Sequence, residues 1–272
     1  MSLRYWRLDG IDLLRSAGST HRYARHSHEG YALGIVEAGS HGFTARGRRW
    51  TAVPGRIIVV NPDDAHDGGP GGQGDAYSYR MIYVDADMLT AALGDAAGRP
   101  APQPLFAEAV VDDPALSRRL SDLHRLLEGG ETRLARDAHL IVALVDLARR
   151  HGRAGVDGRQ FGHRGVARVV DYLAENFAED CALADLAALA GINRFNLLRA
   201  FQRSMGLPPH LYQTQLRLRH ARRLMLAGEA PAMAAVAAGF TDQSHLIRKF
   251  KAAYGVTPGE YLGRPGRRRA LQ

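Results

Sequence analysis

The 272-residue sequence contains a single cysteine, Cys181, so neither a disulfide framework nor a cysteine-based zinc site can form within one chain. No segment approaches the roughly 18 uninterrupted apolar residues of a membrane-spanning helix, and the N-terminal residues lack the apolar core of a signal peptide. These absences predict a soluble, cytoplasmic protein. With 46% hydrophobic and 24% charged residues, the composition is that of a globular chain, and the length suits about two domains.

Charge is distributed unevenly along the chain. Residues 1–159 hold 20 Lys and Arg against 20 Asp and Glu, whereas residues 160–272 hold 16 against 8. The whole net charge of +8 therefore belongs to the C-terminal part. A basic half beside a neutral half is typical of a phosphate-binding domain joined to a separate sensor.

Residues 183–262 carry one pattern twice, 49 residues apart. Leu197, Phe201, Gly206, Pro209 and Tyr212 recur at Leu246, Phe250, Gly255, Pro258 and Tyr261. Each copy predicts two short helices around a tight turn, which Gly191 makes in the first copy and Gly239 in the second. Asn193 is the predicted N-cap of the second helix in the first copy. This is helix-turn-helix geometry, in which the second helix enters the major groove of DNA.

The outward faces of the two second helices are the predicted DNA-binding residues. Arginine can bond both acceptors of guanine, and an exposed aliphatic side chain can contact a thymine methyl group. The predicted set is Arg194, Phe195, Leu198, Arg199 and Gln202 in the first copy, and Gln243, Ser244, His245, Ile247 and Arg248 in the second. The alternative is an ordinary helical bundle with solvated arginines. Two matching copies joined by a long basic helix over 211–227 favour DNA binding.

Three stretches carry a resemblance to a known family: AGINRFNLLRAFQRSMGLPPHLY, LRLRHARRLM and GFTDQSHLIRKFKAAYGVTPGEY. They resemble the DNA-binding domain of AraC/XylS-type bacterial transcription regulators and cover most of residues 183–261. The helix before Gly239, PAMAAVAA, departs from the family by being short and rich in alanine. The resemblance implies a sequence-specific regulator and not an enzyme. Its expected partners are double-stranded DNA, a small-molecule effector, a second copy of the chain and, if it is an activator, RNA polymerase; no cofactor is expected.

Residues 3–85 read as short strands separated by glycine-rich turns, which predicts a β-barrel. Strands are predicted at Tyr31–Val36, Arg56–Val60 and Tyr77–Val84. The segment 67–74, DGGPGGQG, is predicted to be a flexible loop. The barrel resembles the cupin-like domains that often precede AraC-type DNA-binding domains.

Three histidines of this barrel, His26, His28 and His66, form the predicted effector-binding site. In metal-binding cupins, an acidic residue follows the H-x-H motif by a few positions. Here Glu29 follows immediately and Glu37 late, so the expectation is no metal and a pocket for a small polar metabolite. Three imidazoles with a water can still hold zinc, and that alternative stays open. A cupin metalloenzyme would need a complete ligand set, and a purely architectural DNA-binding protein would leave the barrel unexplained.

Two amphipathic helices are predicted after the barrel. The first buries Leu116, Leu120, Leu123 and Leu127. The second is predicted to face the barrel with Leu134, Ala138, Ile141, Val145 and Ala148, and it carries a second stripe of Leu140, Leu144 and Leu147. The second stripe is interpreted either as a dimer contact or as further cover for the barrel.

The predicted fold class is multidomain α+β. It consists of an N-terminal cupin-like β-barrel with appended helices and a C-terminal all-α domain of two helix-turn-helix units. The predicted boundaries are 1–110 for the barrel, 111–152 for a helical dimerisation segment, 153–163 for the linker and 164–265 for the DNA-binding domain, with units at 183–205 and 231–254.

Overall fold

The structure, a computed structural model, describes residues 2–73, 75–129, 132–154 and 164–263. Backbone contacts divide the chain into two compact units. One comprises residues 1–22 and 27–157, and the other comprises residues 158–272 with the short segment Tyr23–His26. The N-terminal part is rich in sheet and the C-terminal part is helical, as predicted. No helix within the described ranges is long and apolar enough to cross a membrane.

Residues 2–154, called here the N-terminal part, contain strands β1 to β12 and helices α1 to α3; they include β3, which the backbone contacts group with the second unit. The strands are β1 Ser2–Leu8, β2 Ile11–Ser19, β3 Tyr23–His26, β4 Tyr31–Ala38, β5 His41–Ala45, β6 Arg48–Ala52, β7 Arg56–Val60, β8 His66–Pro70, β9 Tyr77–Val84, β10 Pro104–Phe106, β11 Val110–Asp112 and β12 Gly152–Ala154. The helices are α1 Ala86–Ala97, α2 Pro114–Glu128 and α3 Arg133–His151. The predicted strands at Arg56–Val60 and Tyr77–Val84 are confirmed with the same bounds.

Two main sheets make up this part. An antiparallel six-stranded sheet has the order β1-β2-β9-β4-β7-β11, and a four-stranded sheet has the order β3-β8-β5-β6. Strands β10 and β12 form a separate antiparallel pair. Side chains alternate between the two faces of a strand. On β4, Tyr31, Leu33 and Ile35 therefore join a hydrophobic core shared with the three helices, while Gly34 faces Met81 across the opposite surface of the sheet.

The predicted apolar stripe of α2 is confirmed. Leu116, Leu120, Leu123 and Leu127 are between 0% and 4% exposed and pack in the core shared with the six-stranded sheet. Burying a leucine side chain contributes about 1.5–3 kcal/mol, so this stripe anchors α2 to the sheet. Asp113 caps the helix by accepting from the Leu116 N–H at 3.1 Å.

The second stripe of α3 is buried, which agrees with the alternative that it is further cover for the barrel, while part of the first stripe is exposed. Leu140, Leu144 and Leu147 are 4%, 1% and 0% exposed and lie in the core. The list of residues predicted to face the barrel was wrong for Leu134, Ala138 and Ile141, which are exposed, and right for Val145 and Ala148, which are buried. Both faces are apolar, so helical periodicity alone could not choose between them. The helix packs against both α1 and α2, and those two neighbours decide which stripe is buried.

The loop predicted at 67–74 is also corrected, because its first half is part of β8. Residues His66–Pro70 form a mostly buried strand that pairs antiparallel with β5. A Cβ on Gly68 would lie 2.7 Å from Nε2 of His41, and one on Gly69 would lie 3.0 Å from Cγ of Arg22. The glycines therefore serve close packing in a strand here and do not signal a loop.

The segment predicted as the linker, 153–163, begins inside β12, which pairs with β10. Residues 155–163 lie outside the described residues. Helix α1 was not predicted, although Asp85 accepts from the Asp87 N–H at its start and Gly98 (φ 64°) ends it. Both cap signals were present in the sequence.

The C-terminal helices are α4 Arg164–Glu175, α5 Leu183–Ala190, α6 Arg194–Met205, α7 Pro209–Leu226, α8 Pro231–Ala237, α9 Gln243–Tyr254 and α10 Pro258–Tyr261. Helix α4 buries Val166, Val169, Val170 and Leu173 and packs against α5 and α6. A Cβ on Gly165 would lie 2.2 Å from the Ala190 carbonyl oxygen, so glycine allows α4 to approach the end of α5 directly. This part of the chain has its own apolar core.

Candidate functional site

Both helix-turn-helix units turn at a glycine in the left-handed backbone region. Gly191 (φ 69°) directly follows the last residue of α5, and Gly239 (φ 77°) lies two residues after the last residue of α8. In each turn the residue after the glycine donates its N–H to a carbonyl five positions earlier, at 3.2 Å in the first turn and 2.9 Å in the second. Glycine adopts this conformation without the steric cost that a side chain imposes. The two turns therefore share one geometry.

A side-chain cap begins each second helix. Oδ1 of Asn193 accepts from the Asn196 N–H at 2.9 Å, which confirms the predicted cap of α6. Oδ1 of Asp242 accepts from the His245 N–H at 2.7 Å at the start of α9. The cap follows the turn glycine by two residues in the first unit and by three in the second. The 49-residue period thus holds for α6 and α9, while the helix before each turn is offset by one residue.

The structure places the ten predicted DNA-binding residues on the outer sides of α6 and α9. Exposed members are Arg194, Phe195, Arg199, Gln202, Gln243, Ser244 and Arg248, and half-buried members are Leu198, His245 and Ile247. The inner sides are held by Leu197 and Phe201 in α6 and by Leu246 and Phe250 in α9, each 0% exposed. The two helices therefore present equivalent outer faces, and the assignment of base or phosphate contacts to particular residues stays a prediction.

Basic residues surround these faces. Helices α6, α7 and α9 contain ten Arg and Lys residues and no Asp or Glu. Arg203, Lys249 and Lys251 are exposed on α6 and α9 and were not among the predicted residues. Their position on the second helices of the repeat was the sequence signal for them. Such a surface attracts the phosphate backbone without regard to base sequence.

Two residues on the outer faces of α6 and α9, Arg199 and His245, interact with neighbouring aromatic rings. The Arg199 guanidinium carbon lies 5.6 Å from the centroid of the Phe195 ring, one helical turn away, so the arginine stacks on the phenylalanine. His245 meets Phe240 edge-on, with ring centroids 5.4 Å apart. Partial burial, together with the charges of Lys249 and Arg248, lowers the pKa of His245. The neutral imidazole that results can both donate and accept hydrogen bonds.

Helix α7 ties the two units together through the segment after α4. The Arg217 side chain donates to the carbonyls of Phe177 at 2.7 Å and Glu179 at 2.8 Å, and Gln213 donates to that of Glu179 at 2.7 Å. A Cβ on Gly239 would lie 2.2 Å from the Ala178 carbonyl oxygen, so the second turn packs on the same segment. These contacts attach both α7 and the second turn to the same segment, residues 177–179.

The three predicted effector-site histidines come together in the N-terminal part. His26 ends β3, and His66 begins β8, the neighbouring strand of the four-stranded sheet. Ring nitrogens of His26, His28 and His66 lie within 4.8 Å of one another. His26 and His66 are buried and His28 is half-buried. We call these residues the histidine cluster; its role as an effector site stays a prediction.

A fourth histidine, His41, was missed. It is 8% exposed and lies against the rings of Phe43, Tyr77 and Tyr79 at centroid distances of 5.6, 4.9 and 5.5 Å. Neither ring nitrogen has a hydrogen-bond partner among the described residues. Burial lowers the pKa of His41 to about 4. The alternation of His41 and Phe43 along β5 was the available sequence signal.

Two family models match the chain. The AraC-like ligand binding domain matches residues 10–144, and a helix-turn-helix domain matches residues 186–264. The first match contains the histidine cluster, and the second contains α6 and α9. Together they define a DNA-binding transcription regulator with a ligand-binding domain.

Similar proteins agree with this class. The uncharacterized HTH-type transcriptional regulator YbfI of Bacillus subtilis is 28% identical over 237 residues, covering 87% of this chain and 86% of YbfI. The HTH-type transcriptional regulator MtrA of Neisseria gonorrhoeae is 27% identical over 115 residues, covering 42% of this chain and 36% of MtrA.

Solved structures show the same two-part fold. ToxT from Vibrio cholerae superimposes with a TM-score of 0.56 at 14% identity, covering 93% of this chain and 96% of ToxT. Its form with a bound unsaturated fatty acid gives a TM-score of 0.57 at 14% identity, covering 93% and 94%. The chain belongs to the AraC-type transcription regulators.

Proposed function

We propose that this regulator binds a specific DNA operator by placing α6 and α9 in two successive major grooves. A small molecule bound by the N-terminal part controls that binding. The observation that carries the proposal is the pair of equivalent outer faces on α6 and α9, whose exposed side chains are suited to contacts with DNA bases. Successive grooves on one side of B-DNA are about 34 Å apart. We expect each helix to occupy one of them, so that both faces bind in the same complex.

Within each outer face, different side chains are suited to different contacts with DNA. Arg199 and Arg248 are the exposed side chains suited to bidentate bonds with guanine. Leu198 and Ile247 remain half-buried apolar residues beside them, suited to thymine methyl groups. The exposed Arg203, Lys249 and Lys251 contribute phosphate contacts that add affinity without sequence preference.

The effector belongs to the N-terminal part, which the ligand-binding family model covers. Support comes from polar residues that are buried or half-buried in this part, among them the histidine cluster and His41. The related fold of ToxT is described with an unsaturated fatty acid bound, so this fold admits a small molecule. The effector acts by shifting the arrangement of the regulator between a DNA-competent and a DNA-incompetent state.

We also propose a homodimer, and we place its contact on the exposed side of α3 and not on the side of Leu140, Leu144 and Leu147. Leu140, Leu144 and Leu147 lie in the core, so they cannot form it. Leu134, Ile141 and Val142 are 81%, 45% and 62% exposed on the outer side of the same helix. If the regulator is an activator, RNA polymerase is a further partner.

A gel-shift titration with the promoter of the neighbouring operon tests the function. The expected result is a discrete complex that competitor DNA of unrelated sequence does not remove. Repeating the titration with candidate metabolites is expected to identify one that changes the apparent affinity. If competitor DNA of any sequence removes the complex equally well, the protein is an architectural DNA-binding protein instead.

A further inference from the structure

We infer that the histidine cluster binds one divalent transition-metal ion through His26, His28 and His66. This reverses the expectation from sequence, which favoured a metabolite because the acidic residue of metal-binding cupins was not found at its usual spacing. It does not depend on the DNA-binding proposal, because the cluster lies among residues of the ligand-binding domain match.

The backbone brings the three imidazoles to one place. His26 and His28 are separated by one residue, and His66 begins the strand next to the one that His26 ends. Their ring nitrogens lie within 4.8 Å of one another. Ligand nitrogens about 2.0–2.1 Å from a tetrahedral zinc lie about 3.4 Å apart, so the rings need to close by at most about 1.4 Å.

Hydrogen bonds orient two of the rings as metal ligands. Nδ1 of His26 lies 2.7 Å from the Ala24 carbonyl oxygen, and Nδ1 of His66 lies 2.9 Å from the Asp64 carbonyl oxygen. A carbonyl oxygen only accepts, so each Nδ1 carries the proton and each Nε2 carries the lone pair. Metal-binding histidines characteristically donate their other ring N–H to a carbonyl or carboxylate in this way. The same contact, to the carbonyl two residues earlier, occurs at both positions.

The third ring is held by packing. The His28 ring lies between those of His66 and Tyr83, with centroid distances of 5.1 and 5.0 Å. These contacts limit its rotation and keep it beside the other two imidazoles. Since His28 is half-buried while its partners are buried, the side of the cluster at His28 is the one that water or a small ligand can reach.

The chemistry of the donors selects the class of metal. The cluster found in the described part of the chain consists of imidazoles only. The nearby Asp64 carboxylate accepts from Asn61 at 3.0 Å and pairs with Arg46 at 3.3 Å. Imidazole suits Zn²⁺, Cu²⁺, Ni²⁺ and Fe²⁺, whereas Mg²⁺ and Ca²⁺ prefer oxygen ligands. Three protein nitrogens leave a fourth position for water or an anionic group of an effector.

Titration of the untagged full-length protein with Zn²⁺, after treatment with a chelator, tests the site by calorimetry. Wild-type protein is expected to bind one ion per chain. His28→Ala and His66→Ala are expected to lower the Zn²⁺ affinity by more than about 100-fold. Loss of a residue that only hydrogen-bonds to a metal ligand lowers metal affinity by about 10- to 100-fold, so a larger loss indicates a direct ligand. The matched control is His139→Ala, because His139 is an exposed histidine of α3 away from the cluster, and this variant is expected to bind as wild type does.

A second measurement distinguishes loss of metal binding from failure of a variant to fold. Circular dichroism and the melting temperature of the metal-free proteins are measured first; His28→Ala removes the least buried of the three rings and is expected to keep both. Binding of Zn²⁺ should then raise the melting temperature of wild type and His139→Ala but not of His28→Ala. No stoichiometric binding by wild type, or equal affinity of wild type, His28→Ala and His66→Ala, would overturn the inference in favour of a pocket for a metal-free metabolite.

Discussion

Replacing Arg199 with alanine should weaken specific DNA binding by about 1–3 kcal/mol, which corresponds to about 5- to 150-fold in Kd. The exposed Arg199 lies on the outer face of α6, where a bidentate contact with guanine is available to it. Its stacking on Phe195 orients the guanidinium before DNA arrives. The Phe195 ring is 66% exposed, and a cation–π contact at an exposed site is worth about 0.5–1 kcal/mol. Phe195→Ala removes this orientation of the guanidinium and should therefore also weaken operator binding.

Fluorescence anisotropy at one fixed salt concentration, with the operator and with operators changed at single base pairs, measures both effects. Arg199→Ala should relax the preference at one base pair, and Arg199→Lys should not restore it, because lysine lacks the planar fork. Arg118→Ala, at an exposed arginine of α2, is the control and should bind as wild type does. Arg248→Ala should act in the same way but less strongly, since α8, which precedes its turn, is shorter than α5. Equal weakening on every sequence would show that Arg199 contacts phosphate only, which refutes the assignment.

Two further predictions concern the N-terminal part. Leu144→Glu should unfold this part, because removing a buried leucine alone costs about 2–5 kcal/mol and the variant buries a charge as well. Val142→Glu should leave the melting temperature nearly unchanged and weaken self-association, as measured by sedimentation. A folded Leu144→Glu protein would contradict the packing of α3. Burial lowers the pKa of His41 to about 4, and burial with the nearby Arg80 charge does the same for His124, from 6.5 in each case. Protonation is thus disfavoured in the folded state, so stability is full above about pH 6.5 and falls towards pH 4, by about 2 kcal/mol per histidine between pH 7.5 and 5. Urea unfolding at these two pH values measures the loss, His41→Leu should remove part of it, and equal stability at both would contradict it.

Local signals sufficed to predict the DNA-binding helices. The left-handed backbone of each turn favours glycine, which Gly191 and Gly239 supply, and Asn193 caps α6 through its own side chain, so each boundary depends on residues close in sequence. The recurrence of Leu197 and Phe201 at Leu246 and Phe250 likewise identifies the inner faces of α6 and α9, where these four side chains are 0% exposed.

Tertiary packing decided the features that the sequence did not reveal. On α3 both faces are apolar, and contacts with α1 and α2 determine that Leu144 is buried and Ile141 is exposed. Gly68 looked like a loop residue, but its missing side chain is what lets His41 pack against β8. The three histidines were predicted as a group, yet the carbonyl contacts of His26 and His66 that orient their rings depend on the folded backbone.

The central claim is that α6 and α9 together form the DNA-binding surface, and the salt dependence of DNA binding by residues 160–272 alone tests it most directly. This fragment carries the entire net charge of +8 and contains both α6 and α9. We predict a folded helical fragment for which the logarithm of the operator-binding constant falls linearly with the logarithm of salt concentration, with a slope of about −0.9 for each phosphate contacted. A fragment with the expected helical circular dichroism but no salt-sensitive binding to DNA would contradict the account.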